Sequence, residues 1–274
     1  TKGKVTTEGA KVSAKTTAIY GEQGVNLRGA KATTTQTARA EFKNETARLK
    51  TGLSSQDSSV QHYTATELTT KQDLILGGKG DLYLNGVVAN VDGTLLAKNS
   101  GSLSFGSERS SESYNLSDDM RFWGGLAGSK TVGTGRSAET VHGADITVKG
   151  DTTLDASRGV HISGSRVVTG GNGVVKGNAG ALVIDSTQAK TTAVDYARQG
   201  TIFDITKARQ SSYTHTSTAK GSTLKSESNL QLSTNKNVSI VGSTVQSAGL
   251  LDIAAKSGIE VKGATNHVRT ESSK

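Results

Sequence analysis

The sequence predicts an all-β protein: a right-handed parallel β-helix (solenoid) with extended β-strand arms or hairpins and a repeat of about 78 residues. Three observations predict this fold. An internal repeat aligns with itself without gaps, aliphatic residues alternate with small or polar ones in short runs, and aromatic residues make up only 4% of the chain. So little bulky apolar material does not fill a globular core of this size, whereas thin, stacked β-structure needs less of it.

The repeat is visible when the sequence is aligned with itself. Leu76, Leu154 and Leu232 recur at one constant step, which is the repeat length. Three aliphatic pairs keep the same step, each followed by glycine: Leu82/Leu84, Val160/Ile162 and Val238/Ile240, with Gly86, Gly164 and Gly242. A second family recurs at steps of 78, 79 and 77: Val25/Leu27, Leu103/Phe105, Leu182/Ile184 and Ile259/Val261. We therefore expect residues 1–274 to form one repeat array.

The aliphatic half of each copy predicts short strands. Alternation with a period of two places every second side chain on the same side of a strand, and Gly or Asn at the joints suits turns with positive φ. Leu232 and Ile253 are 21 residues apart, as are Ile240 and Val261. About 21 residues make one turn of a three-sided solenoid, in which each coil is stable only when stacked on the next.

The polar half of each copy predicts the arms. These stretches lie near residues 30–70, 106–148 and 186–226, and they hold most of the aromatic residues. Unstructured loops of this length are uncommon in a compact array, so we expect paired extended strands along or projecting from the solenoid. A helix over Thr37 to Leu49 is the alternative, although its 3.6-residue period is poor.

Composition excludes several classes of protein. The chain has no Cys, which rules out disulfide bonds and thiolate chemistry. The formal charge of +8 is spread along the chain without a basic stripe, so no nucleic-acid partner is expected. No targeting or membrane-spanning segment is apparent, and neither end resembles a solenoid cap, so we expect a fragment of a longer protein.

No catalytic or metal-binding pattern emerges. Asp73, Asp151 and Asn229 occupy equivalent repeat positions, which is typical of a turn residue. Asp118 and Asp119 form an isolated acidic pair. The histidines lack metal-ligand spacing and are expected on the solvated surface: His62, His142, His161, His215 and His267. We therefore expect no catalytic residues, no cofactor and no metal.

Phe122-Trp123-Gly-Gly-Leu126 is the one unusual motif, because it is apolar and occurs only in the second arm. One interpretation is an arm tip that folds back on the solenoid. The other is a membrane or partner contact made by Phe122, Trp123 and Leu126, since aromatic residues beside glycine can insert at a bilayer interface or fill a pocket.

The order of these motifs resembles the haemagglutinin repeats of filamentous haemagglutinin-like exoproteins. The resemblance rests on Gly159-Val-His-Ile-Ser-Gly-Ser165, on Gly249-Leu-Leu-Asp-Ile-Ala-Ala-Lys-Ser-Gly258 and on the polar tract Ser107 to Tyr114. It is closest to the second repeat region of the effectors of contact-dependent growth inhibition in Gram-negative bacteria.

This resemblance implies a non-catalytic, monomeric rod that is secreted with the help of an outer-membrane partner transporter and displayed on the bacterial surface. It also implies contact with a target-cell surface or outer membrane, in toxin delivery or adhesion. The alternative is a glycan-binding or glycan-cleaving β-helix of a surface adhesin, which needs a non-repeating cluster of acidic and aromatic groups on one solenoid face. A phage or tail-fibre scaffold fits less well, because no trimeric coiled segment is present.

Overall fold

The structure is a computed structural model that describes residues 1–43, 50–122, 127–200 and 207–273. Within these residues the chain forms strands and turns, and no helix. Parallel strands stack in three columns, which we name the first, second and third solenoid sheets. The predicted all-β parallel β-helix is therefore confirmed, while the repeat length of about 78 residues stays a prediction.

The first solenoid sheet contains one strand from each coil, and every pair of neighbours is parallel. Its strands, in stacking order, are β1 (Val5–Glu8), β4 (Val25–Arg28), β9 (Leu82–Asn85), the first residues of β12 (Leu103–Phe122), β16 (Val160–Ser163), β19 (Leu182–Asp185), β24 (Asn237–Val241) and β27 (Gly258–Lys262).

The other two solenoid sheets follow the same order. The second contains β2 (Lys11–Ala14), β7 (Thr66–Thr70), β10 (Val87–Val91), β14 (Asp145–Val148), β17 (Arg166–Thr169), β22 (Thr223–Ser226) and β25 (Thr244–Ser247). The third contains β3 (Thr17–Gly21), β8 (Leu74–Gly78), β11 (Leu95–Asn99), β15 (Thr152–Ala156), β18 (Gly173–Gly177), β23 (Leu230–Thr234) and β26 (Leu251–Ala255).

The core is a narrow apolar column inside the coils. Alternate residues of each solenoid strand point inward, as the period of two predicts: Leu82 and Leu84 are buried while Tyr83 between them is partly exposed. Phe105 is the largest fully buried side chain. Each coil supplies only a few inward side chains and cannot shield them from water by itself. These side chains are therefore kept from water only where a further coil stacks on each side.

Two kinds of connection join the first solenoid sheet to the second, and they alternate from coil to coil. One is a tight turn at a glycine with φ between 55° and 61°, found at Gly9, Gly86, Gly164 and Gly242. This left-handed conformation favours glycine because it has no Cβ. The other is an arm of two long antiparallel strands. Every second coil therefore carries an arm.

The arms pair with one another into a single antiparallel sheet, which we name the arm sheet. Its strands are β5 (Ala30–Lys43), β6 (Lys50–Thr64), β12, β13 (Ser129–Gly143), β20 (Thr187–Gly200), β21 (Lys207–Lys220) and β28 (His267–Ser273). The described part of the predicted helical alternative, Thr37 to Lys43, lies in β5, so that alternative is wrong there. Residues 44–49 lie outside the described residues.

The spacing of the coils explains why the arms pair. Neighbouring strands lie about 4.8 Å apart, so two coils rise about 9.6 Å along the solenoid. A hairpin is two strands wide and therefore also occupies about 9.6 Å. Hairpins that leave from every second coil meet edge to edge, and their edges satisfy each other's backbone hydrogen bonds. The predicted arm ranges differ from the observed hairpins because they include the next strand of the second solenoid sheet.

Candidate functional site: the two faces of the arm sheet

The arm sheet presents two different faces. Directly paired residues of an antiparallel sheet point to the same side, and successive residues point to opposite sides. Rows of side chains therefore run across the arms. One such row contains Ser58, Tyr114, Arg136 and Ala193, and the next row on the same side contains Gln56, Leu116, Thr134 and Asp195.

The first face, which we name the apolar face, carries most of the large apolar side chains of the arms. A strip of them runs obliquely from the second strand of the first arm toward the tip of the second arm: Val60, Tyr114, Leu116, Val132, Met120 and Phe122. All are partly exposed, and Val132 exposes 40% of its surface. The strip borders two shallow grooves of about 490 and 230 Å³.

The second face, which we name the hydroxyl face, carries mainly Ser, Thr and Asn. A groove of about 400 Å³ on this face is lined by Ser113, Asn115, Ser117, Ser137 and Thr192 among others. These groups are hydrogen-bond donors and acceptors that carry no charge at neutral pH. The two faces thus offer distinct chemistry on opposite sides of one sheet.

Tyr196 locks the third arm to the second on the hydroxyl face. Its ring lies over Gly133, where an added Cβ would stand 2.2 Å from the ring. Its hydroxyl reaches across that strand and donates to Ser117 Oγ at 3.4 Å. Position 133 therefore has to be glycine. The Tyr196 ring covers the space on the sheet that a side chain at this position would otherwise occupy.

Tyr63 and His142 join the arms to the solenoid. The Tyr63 hydroxyl donates to the carbonyl of Gly86, the tight-turn glycine of the next coil. Its ring stacks on His142 with ring centres 4.1 Å apart. Burial, with a smaller contribution from Glu108, raises the pKa of Tyr63 to about 12. Burial and the nearby charges of Lys220 and Lys31 lower the pKa of His142.

The structure corrects the expectation that all five histidines are solvated. His142 is half-buried and its Nε2 lies 2.8 Å from Ser110 Oγ. His161 is exposed, as strand alternation predicts, and its Nε2 lies 3.0 Å from Asp185 Oδ2. Burial alone raises the pKa of Asp185, but hydrogen bonds from His161 and Ser163 outweigh it, so that pKa lies below its usual value. Across the described residues, no group of three or more His, Asp or Glu side chains could hold a metal ion.

The repeated Asp and Asn positions are turn residues. Asp73, Asp151 and Asn229 each accept, through Oδ1, a backbone N–H from the residue 21 positions later: Thr94 at 2.9 Å, Asn172 at 2.6 Å and Leu250 at 2.8 Å. The backbone N–H of Thr94 and then its hydroxyl lower the pKa of Asp73. These side chains therefore tie each coil to the next, the role that their repeat positions indicated.

The remaining predicted site residues fall in the second arm. Asp118 and Asp119 are successive residues of β12 and point to opposite faces, so they cannot act as a pair. Asp119 accepts from Thr131 Oγ1 at 3.1 Å. Phe122 is partly exposed at the tip end of the apolar strip, whereas Trp123 and Leu126 lie outside the described residues. Sequence reasoning missed the apolar strip, because its members come from different arms and meet only through the pairing of β6, β12 and β13.

Comparison with known proteins identifies relatives of the chain. Residues 203–274 match a family model described as Hemagglutinin repeat. The chain is 27% identical over 275 residues to a protein named Hemolysin from Proteus mirabilis, a match that covers all of this chain and 17% of that protein. It is 28% identical over 258 residues to a protein of the same name from Serratia marcescens, covering 93% of this chain and 16% of that protein.

These matches confirm the resemblance to haemagglutinin-repeat exoproteins. The chain spans about a sixth of the length of these relatives. No solved structure matches the chain significantly. Among the described residues, no helix is long and apolar enough to cross a membrane.

Proposed function

We propose that this chain, which carries a hemagglutinin repeat at residues 203–274, is a non-catalytic β-helical segment of a large secreted exoprotein of a Gram-negative bacterium. In this proposal it supports adhesion to target cells or toxin delivery into them by contact-dependent inhibition. The observation that carries the proposal is the apolar face of the arm sheet. A rod that served only as a spacer has no need of such a face.

The relatives support the exoprotein part of the proposal. Both are named hemolysins, and both are about six times as long as this chain, which suits a segment within a long filament. Secretion through an outer-membrane partner transporter is part of the same proposal. A β-helix suits that route, because coils can stack one after another as the chain emerges and each new coil needs only its neighbour.

We assign the target contact to the apolar face. Its strip ends at Phe122, which Trp123 and Leu126 follow in the sequence. Exposed aromatic and aliphatic side chains gain free energy when they leave water, and aromatic rings are favoured at the headgroup level of a bilayer. In this proposal the arm tips, with Phe122, Trp123 and Leu126, contact the outer membrane of the target cell. A lipid contact also suits relatives whose name denotes lysis of cells.

Vesicle flotation tests this assignment. The 274-residue chain is mixed with vesicles of phosphatidylethanolamine and phosphatidylglycerol, and the floated fraction is compared between variants. Val132→Ser removes an apolar side chain that is 40% exposed on the apolar face, and Leu53→Ser removes one that is 42% exposed on the hydroxyl face. These two variants are matched in exposure and differ mainly in face.

The expected result is that Val132→Ser and Trp123→Ala reduce flotation several-fold, while Leu53→Ser floats like the parent chain. Equal flotation of Val132→Ser and Leu53→Ser contradicts the assignment, as does a parent chain that does not float at all. Far-UV circular dichroism of each variant establishes that the solenoid is intact, because a surface substitution should leave the β-helix spectrum unchanged.

A further inference from the structure

We propose that the outward face of the third solenoid sheet, which we name the back face, binds a second copy of this chain, with the two rods antiparallel and back to back. The arms leave the solenoid between its first and second sheets, so in a three-sided coil the third sheet lies opposite the arms. Two copies joined here keep their arm sheets on opposite sides of the dimer. The inference therefore goes beyond the target contact proposed above, and it differs from the monomeric rod that the resemblance implies.

The back face carries a stripe of uncharged outward side chains. Five successive strands, β3, β8, β11, β15 and β18, each contribute one residue, and these residues are paired in register: Ala18, Ile75, Leu96, Thr153 and Val174. Ile75 exposes 41% of its surface and Leu96 exposes 39%. Beside the stripe, the Tyr20 ring lies over Gly77, where an added Cβ would stand 3.2 Å from the ring. The stripe therefore extends over about 19 Å, which is four steps of about 4.8 Å along the solenoid.

The outward rows of the other two solenoid sheets include charged side chains that pair within their own sheet. Glu8 and Arg28 form an ion pair at 3.0 Å on the first sheet. Asp145 and Arg166 form one at 2.8 Å on the second. These charges are compensated inside the sheet, so they do not call for a partner. A continuous apolar stripe on one side of a rod is instead typical of a contact surface.

The charges beside the stripe identify the partner. The next outward row, two residues further along each strand, contains Lys98 in β11, Asp155 in β15 and Lys176 in β18, paired in register. Neither lysine forms an ion pair with any residue that the structure describes. Asp155 accepts from Asn178 Nδ2 at 2.8 Å through Oδ1, and its second carboxylate oxygen is available to a partner. Charges of both signs are thus present at neighbouring levels of the back face.

This pattern of charge is complementary to itself. A two-fold axis that runs along the strands, midway between β11 and β15, brings each level of one copy opposite the level at the same distance beyond the axis in the other. Lys98 then faces Asp155 of the second copy, and the symmetry repeats this ion pair. Lys176 faces Gly77 of the second copy, next to the Tyr20 ring, where an ammonium group is attracted to the face of an aromatic ring.

The same axis also matches the apolar side chains. Ile75 faces Val174 of the second copy, and Leu96 faces Thr153, each twice by symmetry. Sheets that pack face to face lie about 10 Å apart, a distance at which these side chains meet and leave water. A parallel arrangement instead places each level opposite the same level of the other copy, so Lys98 faces no acidic residue. The charges therefore favour the antiparallel dimer.

The size of the overlap indicates a weak dimer. Six strands of each copy, from β3 to β23, lie opposite one another, which corresponds to a patch of about 24 Å by roughly 10 Å. Stable dimers bury about 800 Å² on each partner, and this patch is smaller. We therefore expect a dissociation constant on the order of 10 to 100 µM.

Sedimentation velocity of the intact 274-residue chain, over about 1 to 300 µM, tests the location of the contact. Leu96→Ser removes a side chain from the stripe. Val132→Ser is the matched control, because Val132 is 40% exposed but lies on the apolar face of the arm sheet. We expect Leu96→Ser to weaken dimerisation at least about tenfold and Val132→Ser to leave it within about threefold of the parent chain.

A charge exchange tests the antiparallel register. In Lys98→Glu, and separately in Asp155→Lys, like charges face each other across the axis, so each variant alone should dimerise at least about tenfold more weakly than the parent chain. An equimolar mixture of the two variants should dimerise within about threefold of the parent. In the mixed dimer the introduced glutamate faces the introduced lysine, while the unchanged Lys98 and Asp155 face each other.

Three outcomes overturn the proposal. The first is a parent chain that stays monomeric up to 300 µM. The second is a loss of dimers in Val132→Ser with dimers retained in Leu96→Ser, since association then involves the arm sheet. The third is a mixture of the charge variants that dimerises no better than either variant alone. Far-UV circular dichroism of each variant should match the parent chain, because all four side chains point out of the core.

Discussion

Deleting one armless coil should break the arm sheet and leave the solenoid intact. The coil formed by residues 82–102 lies between the coils that carry the first and second arms, and Asp81 could then continue directly into Leu103, which already pairs with Leu82. After deletion the two arms leave from adjacent coils, about 4.8 Å apart, while each hairpin still needs about 9.6 Å. β12 would then have to lie at the same height along the solenoid axis as β6, so the two strands could no longer pair side by side.

The free energy lost on deletion can be estimated from the pairing of β6 with β12. This edge contains eleven residue pairs, from Glu112↔Val60 to Phe122↔Lys50. With roughly one backbone hydrogen bond per pair and a net contribution of about 0.5 to 1.5 kcal/mol each, the interface contributes on the order of 10 kcal/mol to the arm sheet. Amides of β6 that point toward β12 should lose most of their protection from hydrogen exchange, since local stability sets that protection.

Deletion of residues 82–159 is the matched control. It removes one armless coil together with the arm-bearing coil that follows, so the third arm takes the place of the second and the spacing of two coils is kept. Hydrogen exchange measured by mass spectrometry should show peptides over residues 50–60 exposed after deletion of 82–102 and protected after deletion of 82–159. Unchanged protection of these peptides in the shorter deletion refutes the reasoning.

Three further predictions follow from single side chains. Gly133→Ala should displace the Tyr196 ring and weaken the junction between the second and third arms, seen as faster exchange in β13 and β20 with no change in the solenoid strands. Leu154→Ala should lower the free energy of unfolding by about 2 to 5 kcal/mol because Leu154 is fully buried, whereas Leu96→Ala, at a side chain 39% exposed, should cost far less. His142 has a lowered pKa in the folded chain, so the unfolded chain takes up the proton first as pH falls below about 6.5. The free energy of unfolding should therefore fall as the pH is lowered through about 6.5 in denaturant titrations, and His142→Gln should show a smaller fall; an identical pH dependence in both contradicts this role.

Much of the solenoid could be predicted from local pattern. Alternating aliphatics such as Leu82 and Leu84 fall on the inside because one side of each strand faces a dry column, and a strand has only two sides. Gly86 and Gly164 were identifiable as turn residues because a tight turn with positive φ occurs at the same place in each armless coil. Local spacing was sufficient for these elements.

The arm sheet could be predicted only in part. Extended strands were expected in the arms, but their pairing with one another was not, since Ser59 meets Ser113 from a distant part of the sequence and neither residue type specifies a partner. The apolar strip exists only after that register is set. The half-buried position of His142 was missed for the same reason, because its cover, Tyr63, comes from another arm.

A cross-link between neighbouring arms tests the account most directly. The chain has no cysteine, so two introduced cysteines report on a single distance. Ser59 and Ser113 are directly paired across β6 and β12, which places their Cα atoms about 4.5 to 5.5 Å apart, within disulfide range. Ser59→Cys with Ser113→Cys should oxidise readily to a disulfide within one chain. Ser58→Cys with Ser113→Cys should not, because Ser58 points to the other face. Failure of the first pair to cross-link, or equal cross-linking of both pairs, would contradict a continuous arm sheet in this register.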